Sequence, residues 1–243
     1  MQCRRAAVRL DDGSDQTESQ VRQALHAVHG SALTSDERAW RNRLKQFRRM
    51  LADSSEPIQK DGIKGTSGDI YRVAASPESA TLLLFHLVRA LQPNLCLELG
   101  TSLGVSAAYQ AAALSLNGHG RLVTLERYSG LAAFADEYLR SLGLSPDCVT
   151  VRCGFFSDVL ETVLVEARAA GGIGLAFVDG HHDGAATVRY FGQLLTALAH
   201  PAVIVFDDIR WSLAMRRAWL QIASDPRAMR AIDLWTMGIV IVR

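Results

Sequence analysis

The stretch LELGTSLGVS, residues 97–106, closes the short run Asn94-Leu95-Cys96-Leu97 and reads as a buried strand that turns through a glycine loop into a helix. Glu98 is its odd member. A carboxylate inside an apolar strand is costly unless something meets it. It stands two residues before Gly100, at the C-terminal end of the strand, where open parallel sheets receive ligands.

Downstream of this segment the chain alternates strand and helix. LCLEL is followed by a helix over 105–116, RLVTLE by one over 131–142, and CVTVRCG by one over 159–170. IGLAFVDG is followed by a helix over 187–199, and AVIVFDD by one over 213–222. Five such units require a mostly parallel sheet with helices on both faces, an α/β doubly wound fold. AIDLW and GIVIV close the chain with no room for a helix between them, so the final pair is a hairpin and one edge region is antiparallel.

Upstream, residues 1–20 are polar and read as a tail. Thr34 and Glu37 have capping-box spacing ahead of Trp40, Leu44, Phe47 and Leu51, which recur at helical intervals. The opposite face carries Arg38, Arg41, Arg43, Lys45, Arg48 and Arg49, read as a solvated face or as a docking arm for an acidic partner. Residues 53–75 form a polar, glycine-containing stretch expected to act as a lid, with Lys64–Tyr71 as its wall-forming part. Ser76-Pro77-Glu78 reads as a helix start with Ser76 as the cap. The division expected is 1–75, with tail, helices and lid, and 76–243, the ligand-binding domain.

Bulk properties narrow the classes. The chain has 243 residues, 49% of them hydrophobic, enough for one sizeable core. A formal net charge of +1 offers no general attraction to nucleic acid or an anionic membrane, and no run is long enough to span a bilayer. The first sixteen residues lack the apolar centre of a signal peptide. Cys3, Cys96, Cys148 and Cys153 show no zinc or redox spacing, so a reduced, cytoplasmic protein is expected.

The loop also says what it does not bind. A dinucleotide pyrophosphate wants GxGxxG at a helix start, whereas here Gly100 and Gly104 enclose Thr101-Ser102-Leu103. Glu126, which ends the second strand, has the position of a ribose-hydroxyl acceptor. A nucleoside without a pyrophosphate, carrying a cationic or zwitterionic end, fits both observations.

ELGTSLGVS, VTLE, CGFFSD, FVDGHH and FDDIRWS occur in order at successive strand ends. With them the chain resembles the class I S-adenosylmethionine-dependent methyltransferases, especially their small bacterial O-methyltransferase-like branch, over residues 76–243. The resemblance implies a seven-stranded, Rossmann-like methyltransferase fold with a reversed last strand, in agreement with the hairpin, and S-adenosyl-L-methionine as methyl donor. It implies that Glu98, Gly100, Thr101, Ser102, Gly104 and Ser106 line the methionine end. It puts Glu126 on the ribose, Gly154, Phe155, Phe156 and Ser157 around the adenine, and Asp179 beside the methyl group. Of the two phenylalanines, one is expected in the core and one on the ligand.

Asp179, Asp207 and Asp208 are expected at the same sheet edge, where like charges require a cation or protons. Catechol O-methyltransferases hold Mg2+ there with two aspartates and an asparagine. Asp179 and Asp207 match the aspartates, and Asp208 stands at the asparagine position. His182 follows three residues after Asp179 and is expected to take the acceptor proton, with Asp179 beside it as the second catalytic residue. The alternative for the acid pair is that one caps the next helix or pairs with an arginine. His181 is read as a second group near the site or as solvent-facing, and Arg210 and Trp211 as walls of the acceptor pocket. The activity implied is O-methylation of a small molecule, with a homodimer as a family-level expectation. The rivals are a nucleic-acid or protein methyltransferase docking through the basic helix, and a noncatalytic module that binds the same ligand.

Overall fold

The computed structural model describes residues 16–30, 32–58 and 65–242. Most of the expected tail, Cys3 and part of the 53–75 stretch lie outside them. The elements run α1 (Gln16–Ala27), α2 (Ser35–Asp53), α3 (Ser67–Ala74), α4 (Glu78–Leu91), β1 (Leu95–Leu99), α5 (Val105–Asn117), β2 (Arg121–Glu126) and α6 (Ser129–Ser141). They continue β3 (Val149–Cys153), α7 (Phe156–Ala169), β4 (Ile173–Val178), α8 (Gly184–Leu194), β5 (Leu198–Phe206), α9 (Leu213–Ala223), β6 (Ala228–Asp233) and β7 (Gly238–Val242).

One seven-stranded sheet has the order β3-β2-β1-β4-β5-β7-β6. All neighbours are parallel except β7, which runs antiparallel to both β5 and β6. The chain builds outward from β1 through β2 to β3, then returns to lay β4 on the other side of β1. That reversal opens a crevice beyond the ends of β1 and β4.

The strand alternation sorts the core into two layers. Leu95, Leu97 and Leu99 join the layer under α7, α8 and α9, while Cys96 faces the layer under α4 and α5. Glu98 shares the parity of Cys96 and lies in register with Thr124 on β2. Its carboxylate therefore enters the α5 side of the sheet beside a hydroxyl, not beside a leucine.

Several local expectations are corrected. Residues from Gln16 onward form α1, in which Thr17, Glu18, Val21 and Ala24 are buried. The apolar signal there is only two residues wide, which is why a polar tail was expected. Part of the glycine-containing stretch is helix α3, started by a capping box between Thr66 and Asp69. Helix α8 stops at Leu194, because Thr196 and Ala197 close it with turn bonds and Leu198 pairs with Ile173 in the sheet. Pro77, not Ser76, occupies the N-cap of α4. The capping box of α2 forms as expected, with Thr34 and Glu37 exchanging hydrogen bonds. Among the described residues no helix is long and apolar enough to cross a membrane.

Candidate active site

The loop after β1 is pressed onto the end of β4. The Asp179 N–H donates to the Leu99 carbonyl at 2.9 Å. A Cβ on Gly100 would overlap the Asp179 carbonyl, and the glycine holds φ +109°, so both space and backbone demand glycine. Gly100 and Thr101 N–H groups donate to the Leu125 carbonyl, tying the same loop to β2. Gly104, at φ +79°, then starts α5.

Beneath the loop lies a buried polar chain. The Thr101 and Thr124 hydroxyls are 2.6 Å apart, Thr124 donates to Glu98 Oε1 at 2.7 Å, and Gln110 Nε2 donates to Glu98 Oε2. Glu98 is fully buried, and desolvation pushes its pKa up to about 7 against the help of these donors. Gln110 reaches it from α5, twelve residues downstream; no spacing rule in the sequence singles out that partner.

Glu126 ends β2 and accepts the N–H groups of Ser102 and Tyr128, each at 2.8 Å. The Arg127 N–H also bonds to it; a carboxylate has about four acceptor positions, so one remains. Beside it the Arg127 guanidinium lies 4.7 Å from the Tyr128 ring centre and 4.9 Å from that of Phe155. Phe155 is 54% exposed, while Phe156 is half-buried and meets Tyr190 edge-on at 5.6 Å.

Asp179 and Asp207 follow directly on β4 and β5. The Asp207 carboxylate accepts the Asp208 N–H at 2.8 Å, and Asp208 takes φ +52°. That turn sends the Asp208 side chain to His182, whose Nδ1 lies 3.2 Å from Oδ2. One donor atom from each of Asp179, His182 and Asp208 falls within 4.8 Å of the others. Burial and mutual repulsion raise the pKa of Asp179 well above the ordinary carboxylate value, and Asp207 is raised in the same way. Neither acid of the pair caps a helix end: Ser212 caps α9. Ser76, freed from capping α4, donates to Asp179 Oδ2 at 3.3 Å.

These elements surround one cavity of about 1490 Å³. Of the residues expected from sequence, Gly100, Thr101, Ser102, Ser106, Glu126, Phe155, Phe156, Ser157, Asp179, His182, Asp207 and Asp208 line it. Glu98, Gly104 and Gly154 stand behind its wall. His181 also lines it and bonds to the Tyr190 hydroxyl at 2.9 Å. Trp211 lines it, is 70% exposed and leans on the His182 ring at 5.7 Å. Arg210 is not on the wall: it pairs with Asp233 at 2.7 Å and covers Trp235. Ser76, Tyr128 and Tyr190 were missed. Tyr128 follows a strand-end acid by two residues and was open to notice, whereas Ser76 was hidden by its resemblance to a cap.

Three of the lining residues other than glycine besides Asp208 have left-handed backbone: Ser102, His181 and His182. Strain of this kind persists where surrounding structure enforces it, and it gathers at functional sites.

Residues 97–209 match a family model described as a methyltransferase domain. A curated catechol O-methyltransferase of Niastella koreensis is 32% identical over 136 residues, 56% of this chain and 58% of that protein. The chain thus matches less than two thirds of that relative's length. A cofactor-bound protein from MTB superposes at a TM-score of 0.64 with 25% identity, over 83% of this chain and 90% of that one. An O-methyltransferase from Bacillus cereus, solved in complex with SAH, superposes at 0.63 with 21% identity, over 93% of this chain and 100% of its own.

Proposed function

We propose that this chain is a class I S-adenosylmethionine-dependent methyltransferase and moves the methyl group of S-adenosyl-L-methionine to an oxygen of a small molecule, a reading that the domain match and the fold support. The observation that carries the proposal is the convergence on one cavity of the glycine loop, Glu126 and the Asp179–His182–Asp208 group.

The residues fit the donor. The crowding of Gly100 against Asp179 leaves backbone, not side chain, along the crevice. Glu126 has its spare acceptor position at the end of β2, where a ribose hydroxyl would donate to it. Arg127, Tyr128 and Phe155 offer flat faces for the adenine. Glu98 acts from behind the wall, holding Thr124 and through it Thr101, rather than touching the ligand.

The residues also fit a divalent cation, which would be held by Asp179, His182 and Asp208. Carboxylates crowded enough to raise one another's pKa are relieved by a positive ion. Two oxygens and one imidazole nitrogen accept Mn2+ or Zn2+ as well as Mg2+. Asp207 keeps a supporting part, fixing the Asp208 turn. When bound, such an ion orients an acceptor hydroxyl and lowers its pKa.

The 3.2 Å contact between His182 and Asp208 favours a second, metal-free reading. With Nδ1 held by Asp208, His182 Nε2 is left to take the hydroxyl proton as the methyl group departs. Trp211 packs on that ring. Most of the acceleration in either case comes from holding the two reactants together.

Incubation with S-adenosylmethionine labelled in the methyl group, catechol as probe acceptor and Mg2+ or Mn2+ is the test. Labelled O-methyl product that disappears with chelator supports the cation. Product that survives chelator but not His182→Gln supports the base. Failure of the chain to bind or consume the donor at all would overturn the proposal.

A further inference from the structure

A second cavity, of about 230 Å³, lies between the α1–α2 connection and helices α2, α4 and α5, and it shares no lining residue with the first. That is room for roughly eight water molecules at about 30 Å³ each, or for one small ring compound. Its walls are divided. Leu33, Leu44, Leu82 and Phe85 supply apolar surface, while Arg41 and His86 supply polar groups.

The polar side has a surplus of donors and positive charge. Glu37, the one acid on the wall, is already engaged: Arg89 donates to Oε1 at 3.1 Å and the Thr34 N–H to Oε2 at 3.0 Å. Among the described residues Arg41 pairs with Glu78 alone, at 3.8 Å, and Lys45 shares that carboxylate at 3.5 Å. Two cations therefore divide one anion. His86 is 9% exposed and meets Phe85 edge-on, and Arg41 Nε is buried with no hydrogen-bond partner among the described residues. A buried guanidinium N–H left without a partner forfeits the bond it made to water, so it favours any occupant that accepts it.

We propose that this cavity is a second ligand site, specific for a small carboxylate with an apolar or aromatic body. One carboxylate oxygen meets the Arg41 guanidinium and the other the His86 N–H, while the body packs between Leu44, Leu82 and Phe85. Burial holds the His86 pKa below its ordinary value, so near neutral pH the ring is a neutral donor. Charge-assisted bonds from Arg41 supply the preference for an anion over a neutral molecule of the same shape. The proposal is independent of what the larger cavity binds.

Benzoate and the neutral isostere benzamide are titrated into the full-length protein, followed by calorimetry and by the His86 ring resonances. The expected result is saturable one-site binding of benzoate with a shift of the His86 signals, and benzamide weaker by tenfold or more. Arg41→Gln and His86→Phe are each expected to weaken benzoate by tenfold or more. Either variant carries the test alone if the other loses its circular dichroism spectrum. The proposal is overturned if benzoate shows no saturable binding, if benzamide matches it, or if a folded variant binds benzoate as the parent does.

Discussion

Glu126 and Glu98 are both acids in neighbouring strands, and their surroundings separate them. Glu126 sits at a strand end with three backbone donors, from Ser102, Arg127 and Tyr128, and spare acceptor capacity. Replacing it by Gln takes away the charge and one acceptor oxygen. It should weaken S-adenosylhomocysteine binding by about ten- to a hundredfold, in line with about 1.5–3 kcal/mol for hydrogen bonds to a charged group. Calorimetry checks this, and unchanged affinity removes Glu126 from the ribose. Glu98 is a stability matter. Its carboxyl titrates near 7 in the fold against an ordinary value of 4.5. A group raised in this way supports the fold fully while protonated, below about pH 4.5, and that support is lost as the pH climbs through about 7. Asp179 and Asp207 are raised as well and act in the same direction. Without ligand or cation, Tm should fall between about pH 5 and pH 8, and Glu98→Gln should flatten that slope. A Tm that rises over the range contradicts the assignment.

The β1–loop–α5 element shows what was legible in the sequence and what was not. The strand, the glycine loop and the helix start were read from residues 97–106 because strand parity and glycine placement are local rules. That Gly100 must clear the Asp179 carbonyl depends on β4 lying next to β1, which only the sheet order reveals. A methyl group there also has to tolerate φ +109°, so Gly100→Ala should destabilise by about 2 kcal/mol or more and lower donor affinity with it. Thermal unfolding and calorimetry on the same variant check both. The acid cluster behaves likewise. Asp179, Asp207 and Asp208 were expected together and are together, but the φ +52° turn at Asp208 puts His182, not Asp207, among the converging donors. A single left-handed residue between two aspartates leaves no signature in composition. Helix α1 and the role of Ser76 escaped for a related reason: each depends on a partner far along the chain, Ala90 for Gln20 and Asp179 for Ser76.

At the scale of the whole molecule, the first 75 residues are joined to the rest at several points. Gln20 donates to the Ala90 carbonyl, Glu18 pairs with Arg230 and Glu37 with Arg89. Arg48 donates to the Ser76 carbonyl at 2.8 Å, and the Ser76 hydroxyl reaches Asp179. The basic face of α2 is thus partly committed within the chain, with Arg41 and Lys45 on Glu78 as well, which weighs against a free docking arm for nucleic acid. A chain beginning at Ser76 should lose cooperative unfolding, because α4 loses the helix α1 that packs against it. A truncated chain that melts sharply would make residues 1–75 a separable unit. The most direct measurement for the molecule as a whole is calorimetric titration of S-adenosylhomocysteine into the purified full-length chain and its Glu126→Gln variant. One-to-one binding that the variant weakens at least tenfold is the expected result. No binding by the parent chain, or equal binding by both, would contradict the methyl-donor site.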